Sequence, residues 1–522
     1  MRPWTWDEAN KSMIRRSLLV ILLVLVVSPA WALTPYYVDP NWGGTQSGSA
    51  AQPWTAPNWS TINTTLATDD VVVYFAARLS TSDTNVTSTS PISVNRTDTS
   101  SHRLTLDGIS QYNTSEVSPS WTAYVTPTAS DPKWNSSHFQ ITGTTPISTE
   151  TTAFPSVCNH DITIQGFRLI RTEGQNVNLG YTGNLTFQYN VLSSGAAGTY
   201  GPGIFAGPAN SGTGCAGGHG PDNVSILNNW NQSSFGECIY IGGGTADPPA
   251  PGVNQTTGDN YLIQGNKLQG CAASGGQGDG IDVKDGHTNL RIIGNWISTR
   301  SNGGALDLDS QGIEVESASV IDGNYIEQPG KHGIVLWSSY NNGIGRTVRV
   351  SNNIIVNVVG TGNQYGIQQD VLAASLSVWT ATIVNNTIHI TAPTFSCIDV
   401  GAGHNAAIVE NNIVSQCGGP GVTASGPVTT NDYNLWYNSG SPSGSHSRSG
   451  NPLFVNANSP YVDTNFKLQP GSAAVSAGLN LAGIFTNDYA GTTRGVVPWD
   501  LGAFSTSTPT TLPPAPASLA VH

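Results

Sequence analysis

The chain has 522 residues, of which only 10% are charged, against roughly 25% in an average soluble protein. Its 20 Lys and Arg against 33 Asp and Glu give a formal net charge of −13, which argues against nucleic acid or an anionic membrane surface as partner. The 59 Gly, with abundant Asn, Ser and Thr, argue against a helical protein, and 14 Trp with many Val/Ile runs argue against a disordered one.

Residues 1–32 read as a secretory signal. Lys11, Arg15 and Arg16 supply the positive region, Leu18–Val27 the apolar core and Ala30-Trp31-Ala32 the cleavage site. The apolar run is too short to span a bilayer comfortably. Its removal leaves 16 basic and 31 acidic residues, a net charge of 16 − 31 = −15. The expected location is secreted, periplasmic or cell-surface, with no membrane association after cleavage. Cys158, Cys215, Cys238, Cys271, Cys397 and Cys417 fit an oxidising compartment, and Cys397 with Cys417 is the expected pair.

Residues 33–80 read as an N-terminal capping segment: a strand at Tyr36–Val38, a turn through Asn41–Ser49, a short helix at Ser60–Leu66 and a strand at Val71–Phe75. Polar, irregular sequence follows, with strands expected at Arg103–Leu106 and His138–Thr142. From Asp161 a repeat is plain. One β-run, as in Tyr261–Leu268, Leu290–Ile297, Ser319–Ile326 and Val348–Ile355, approximates apolar-x-apolar-x-x-Asn-x-apolar. Its asparagines are Asn190, Asn229, Asn266, Asn295, Asn324, Asn353, Asn386 and Asn412, with Asn434 a weaker ninth. The other β-run follows a glycine, as in Gly280-Ile281, Gly312-Ile313, Gly333-Ile334 and Gly366-Ile367.

Such runs stack coil on coil as parallel strands ~4.8 Å apart, with apolar side chains forming internal columns. Asparagine suits the bend, since a left-handed conformation is cheap for it, and its amide can bond the asparagines above and below. A β-propeller would need regular blades of about 40–50 residues, whereas these spacings shrink to 22. The solenoid is expected over 81–504, followed by a disordered Pro/Thr-rich tail at 505–522.

These repeats resemble the right-handed parallel β-helix of the pectate lyase-like superfamily. The opening YYVDPNWGGTQSGSAAQPW resembles the capping segment of secreted members, and NPLFVNANSPYVDTNFKLQPGSAAVSAG with WDLGAF resembles the last coils of bacterial ones. The resemblance implies an all-β, right-handed β-solenoid with an N-terminal cap. It implies a monomer acting on an extracellular polysaccharide, by β-elimination of a uronate polymer or by hydrolysis. A non-catalytic glycan-binding surface protein is the alternative.

Aligning the glycine–apolar steps places Tyr240, Asp282, Glu314 and Val335 in one outward column. Gly242, Lys284, Glu316 and Trp337 form a second, and Glu237, Asp279, Gln311 and His332 a third. Stacked carboxylates such as Asp282 and Glu314 repel one another unless a cation binds, a proton is shared or a lysine pairs with them. Asp279-Gly280-Ile281-Asp282 resembles the calcium-binding Asp-Gly-x-Asp run of one pectate lyase family, which implies Ca2+ held by Asp279, Asp282, Glu314 and Glu316. That family's lysine base falls on Glu314 or Val335 here, leaving Lys284 as the candidate base, with Asp282 and Glu314 as paired carboxylates in a hydrolase. Gly218-His219-Gly220 matches part of a polygalacturonase-type pattern but lacks its aspartate pair. Tyr240, Trp337, His332 and Arg291 are the candidate glycan-binding residues, and Asp279, Asp282, Lys284, Glu314 and Glu316 are expected to face solvent together.

Overall fold

The computed structural model describes residues 33–506 with breaks, the longer ones at 76–86, 109–138, 149–158, 207–221, 243–258, 299–310, 338–345 and 370–378. The signal at 1–32, most of the tail, Cys158 and Cys215 lie outside the described residues. Among the described residues no helix is long and apolar enough to cross a membrane.

Three long parallel sheets run the length of the chain. The first has 13 strands, from Leu33–Val38 to Thr430–Asp432. The second has 11, from Ile92–Ser93 to Val422–Ala424, and the third has 13, from Thr87–Ser88 to Arg448–Ser449. Between the two ends, each coil contributes one short strand to each sheet, and the strands pair with the coils before and after. One coil runs through Ile281–Val283 in the second sheet, Arg291–Ile293 in the first and Trp296–Ser298 in the third, then enters the next coil at Gln311–Val315. This is a parallel β-helix.

The sequence pattern suggested two β-runs per coil, and the structure has three. The longer run breaks in the middle because the residue before each ladder asparagine adopts a left-handed backbone. Asn228 (φ 54°), Gly265 (67°), Gly294 (61°), Gly323 (62°), Asn352 (53°), Asn385 (54°) and Asn411 (58°) do this. The left-handed role expected of the ladder asparagines therefore belongs to their predecessors.

The ladder itself forms as expected. Asn266, Asn295, Asn324 and Asn353 stack in one buried column, extended to Asn190 and Asn229 on one side and to Asn386, Asn412 and Asn434 on the other. Each side-chain oxygen accepts both the backbone and the side-chain N–H of the preceding asparagine, as Asn295 Oδ1 does from Asn266 at 3.0 Å each. Each amide also donates to a backbone carbonyl one coil back, as Asn295 does to Ile263 at 3.0 Å. The side-chain polar atoms of the ladder are thus satisfied inside the solenoid.

Ile204, Ile239, Ile281, Ile313, Ile334 and Ile367 stack inward in register and are fully buried. The glycine before each has a steric cause. A Cβ at Gly280 would sit 2.4 Å from Ile297 Cγ2 and 2.5 Å from the Gly312 carbonyl oxygen, and Gly312 and Gly333 meet the same obstacles one coil on. Cys238 and Cys397 occupy that glycine position. Cys397 pairs with Cys417, the expected bridge, and Cys238 pairs with Cys271, a bridge the sequence left open. The two bridges are equivalent, since Cys238 and Cys397 each open a coil, and Cys271 and Cys417 each follow that coil's third-sheet strand by two residues. They fit export to an oxidising compartment.

The opening segment follows expectation, with strand Leu33–Val38, helix Trp59–Leu66 capped by Asn58, and strand Asp70–Phe75. Ile62 and Leu66 join the main core. Strands at Leu104–Asp107 and Phe139–Gly143 match the two expected early ones.

The end of the chain differs. The last strand closes at Ser449, and Asn451–Phe504 packs as an irregular segment on the outer face of the third sheet. Phe454, Phe466 and Leu501 cover Tyr325, Ile354, Ile413 and Leu435, an outward apolar column that the coils leave bare. The left-handed asparagines hold this segment from the side. Asn385 donates to the Asp500 and Gly502 carbonyls, Asn411 donates to the Leu479 carbonyl, and Asn352 accepts from buried Arg494 at 2.8 Å.

Candidate functional site

The glycine step fixes the register of four second-sheet strands: Ile239–Ile241, Ile281–Val283, Gln311–Val315 and His332–Leu336. Tyr240 pairs with Asp282, Asp282 with Glu314 and Glu314 with Val335, which is the column order read from the sequence. Gln311 pairs with His332 in the flanking column. On the other side, backbone bonds from Glu316 to Val283 and from Trp337 to Val315 carry Lys284, Glu316 and Trp337 along in step.

Lys284 lies at the centre. Its Nζ is 2.8 Å from Asp282 Oδ2, 3.7 Å from Glu314 Oε1 and 3.9 Å from Glu316 Oε1, and 5.7 Å from the centre of the Tyr240 ring. Asp279 Oδ1 accepts the Gln311 backbone N–H at 2.6 Å. Asp279, Asp282 and Glu314 each bring a carboxylate oxygen within 4.8 Å of the others. Asp282 Oδ1 is buried without a hydrogen-bond partner.

The charged patch does not face solvent as a whole. Asp279, Asp282 and Glu316 keep only 6%, 3% and 2% of their surface, while the Lys284 and Glu314 side chains stay partly open. Side chains one strand spacing apart shield one another, and Lys284 folds back across Asp282.

Burial sets the protonation states. It raises the Asp279 carboxyl well above the carboxylate range, helped by Glu314 and Asp282. Burial also raises Asp282, with Lys284 pulling the other way, and lifts Glu314 to about 7 with help from Asp282. Burial acts to lower Lys284, but Asp282 and Glu314 outweigh it and hold the ammonium far above an ordinary lysine. A base needs the opposite shift. Lys284, expected as a proton acceptor, is here a fixed cation.

Of the expected glycan-binding residues, Tyr240 stands outward and stacks on Phe205, with ring centres 5.8 Å apart and planes 14° from parallel. Sequence reasoning missed Phe205, although it follows Ile204 as Tyr240 follows Ile239 and extends the same column. Trp337 is half-buried, with its carbonyl accepting Trp379 Nε1 at 2.9 Å. His332 is buried against Tyr365, and its Nδ1 accepts the Tyr365 N–H, so the neutral ring carries its proton on Nε2. Burial, with Lys331 adjacent, lowers it to about 3. Arg291 is not part of the site. It is exposed on the first sheet, because its strand lies beyond the turn that leaves the second.

No protein-family model and no curated protein sequence matches the chain. Among solved structures it is similar to a pectate lyase at 13% identity, covering 91% of this chain and 96% of that one, with a TM-score of 0.32. It is also similar to the A-module of a mannuronan C-5 epimerase from Azotobacter vinelandii at 12% identity, covering 79% of this chain and all of that one, again at 0.32. At such values the function rests on the site's own geometry.

Proposed function

We propose that this is a secreted protein acting on an extracellular polysaccharide at the outer face of the second sheet, with Asp282 and Glu314 as a working carboxylate pair. The observation that carries the reading is the 2.8 Å contact between Lys284 Nζ and Asp282 Oδ2 beside a Glu314 carboxyl raised to about 7. Asp282 is taken as ionised by its contact with the Lys284 ammonium and Glu314 as the proton carrier, the division of states that acid-assisted glycoside cleavage uses. Glu314, about half protonated near pH 7, gives its proton to the bridging oxygen as the glycosidic bond breaks. Asp282, held beside Lys284, attacks the anomeric carbon through one carboxylate oxygen to form a glycosyl ester, and a water that yields its proton to Glu314 then displaces Asp282 and frees the sugar. Their oxygens lie within 4.8 Å, near the ~5 Å separation of retaining chemistry. Tyr240 and Phe205 provide an aromatic platform beside the pair.

A second reading, elimination of a uronate polymer with calcium, draws on a different observation. Three convergent carboxylates with an unsatisfied Asp282 Oδ1 are a donor set that suits a hard cation. Asp279, Asp282 and Glu314 would hold it, and it would supply positive charge to a bound glycan carboxylate. Incubating the protein with a glycan panel, with calcium or with chelator, separates the readings. New reducing ends without calcium support hydrolysis, and ultraviolet absorbance of an unsaturated uronate, only with calcium, replaces it with elimination. Binding without either product leaves a glycan-binding surface.

A further inference from the structure

The site carries more carboxyl groups than its chemistry uses. Glu237, Asp279, Asp282, Glu314 and Glu316 act on one another electrostatically, and Lys284 is the cation among them. Among the described residues Lys331, beside His332, is another cation flanking this sheet, and Arg291 belongs to another sheet. An anionic glycan meets repulsion here, whereas a cationic one is drawn in.

Asp279 sharpens the point. The carboxylate pair accounts for Asp282 and Glu314, but Asp279 has no part in that reaction and still brings an oxygen within 4.8 Å of both. Its Oδ1 is held by the Gln311 N–H, which fixes the group in place. Beside it Asp282 Oδ1 is an acceptor without a donor, on a residue that is 3% exposed. Asp279 and Asp282, two converging acceptors with an aromatic ring alongside, match a primary ammonium group. The cluster already accommodates one, since Lys284 Nζ meets Asp282, Glu314 and Glu316 below the Tyr240 ring.

We propose that the polysaccharide taken by this site bears free amino groups, and that Asp279 and Asp282 receive the ammonium of a hexosamine next to the reacting carbon. The inference rests on the reading that the second-sheet face holds a glycan, and it names the class of glycan. Asp279 becomes the residue that sets specificity.

Calorimetric titration in the presence of chelator tests this with a glucosamine hexamer, its fully N-acetylated counterpart and a galacturonate hexamer. The expected result is binding of the glucosamine hexamer at least about tenfold tighter than the N-acetylated one, with none of the galacturonate. Asp279→Asn should erase that difference by weakening the amine-bearing ligand alone. Equal binding of the first two, or tighter binding of galacturonate, overturns the amine assignment while a glycan site stands. Galacturonate binding that appears only on adding calcium overturns it in favour of a cation-held uronate. If none of the three binds the wild-type protein with or without calcium, both the assignment and the glycan reading fall. Because the comparison of ligands uses wild-type protein, it holds even if Asp279→Asn does not fold.

Discussion

Replacing Asn295 with alanine removes four hydrogen bonds from the middle of the ladder. Its amide gives up the Ile263 carbonyl and Asn324 Oδ1, both at 3.0 Å, and its Oδ1 no longer accepts from Asn266 N and Nδ2. The losses are not equal. Asn266 Nδ2 keeps the Ile226 carbonyl at 2.8 Å, and Asn324 Oδ1 keeps the Asn295 backbone N–H at 2.9 Å. The Asn266 backbone N–H loses its acceptor in a fully buried place. An orphaned buried donor costs ~1–3 kcal/mol, and each other lost bond costs ~1 kcal/mol at most, so the substitution should destabilise by about 3–5 kcal/mol. Because a solenoid's stability is close to a sum of neighbouring-coil terms, the loss should be local. Hydrogen exchange should speed up by about two to three orders of magnitude at Leu262–Gln264 and Arg291–Ser298, and remain near wild type beyond Thr387. A loss below about 1 kcal/mol, with exchange at the Asn266 amide unchanged, would refute the idea that the ladder satisfies the bend.

Gly323, left-handed with open space where a Cβ would stand, should accept asparagine almost without cost, whereas Gly323→Val should lose about 1–2 kcal/mol in a denaturant titration. Equal losses would show that the backbone conformation is not what selects the residue. Glu314 is raised from 4.5 to about 7 in the fold, so the native state binds the extra proton; its contribution is fully present below about pH 4.5 and is lost as pH rises through about 7. The melting temperature should fall over that window and level off above it, and Glu314→Gln should flatten the fall; an unchanged profile would remove Glu314 as its source. Phe466, 1% exposed between Phe454, Tyr461 and His389, anchors the C-terminal segment, and Phe466→Ala should cost about 3–5 kcal/mol. Limited proteolysis should then cut within 452–506 before it cuts the coils; intact coils and segment alike would show that the anchor lies elsewhere.

The coils were open to sequence reading because their strongest constraints are carried by single residue types at fixed places. A glycine is forced where Gly280 abuts Gly312, and an amide is forced where Asn295 meets Asn324. Those two markers set the register, and with it the pairing of Asp282 with Glu314. The third sheet was hidden because Gly294 and Asn295 were read together as one punctuation mark inside a single run. They perform separate tasks, one bending the chain and the other satisfying what the bend exposes. The C-terminal segment was hidden for a related reason. Its apolar residues continue the composition of the coils, but Phe454 and Phe466 pack on the outside of a sheet whose outer column, with Ile354 and Ile413 on either side of Thr387, is nearly as apolar as its inner one. Periodicity distinguishes two faces only when one of them is polar.

At the site the limit is electrostatic. Register is a property of the chain, so Lys284 could be placed near Asp282 and Glu316 from spacing alone. Protonation is a property of the surroundings, and three neighbouring coils decide it together. Spacing allowed Lys284 to be a base, a salt-bridge partner or a bystander to a bound cation. The 2.8 Å contact with a buried Asp282, within reach of Glu314 and Glu316, leaves the ammonium charged and passes the titratable role to Glu314. The same burial turns an acidic patch from a solvated surface into a set of acceptors, because a carboxylate removed from water must find its donor in the protein or in what the protein binds. Among the described residues Asp282 Oδ1 has none. That single atom is why this face of the solenoid reads as a binding site rather than as charge decoration.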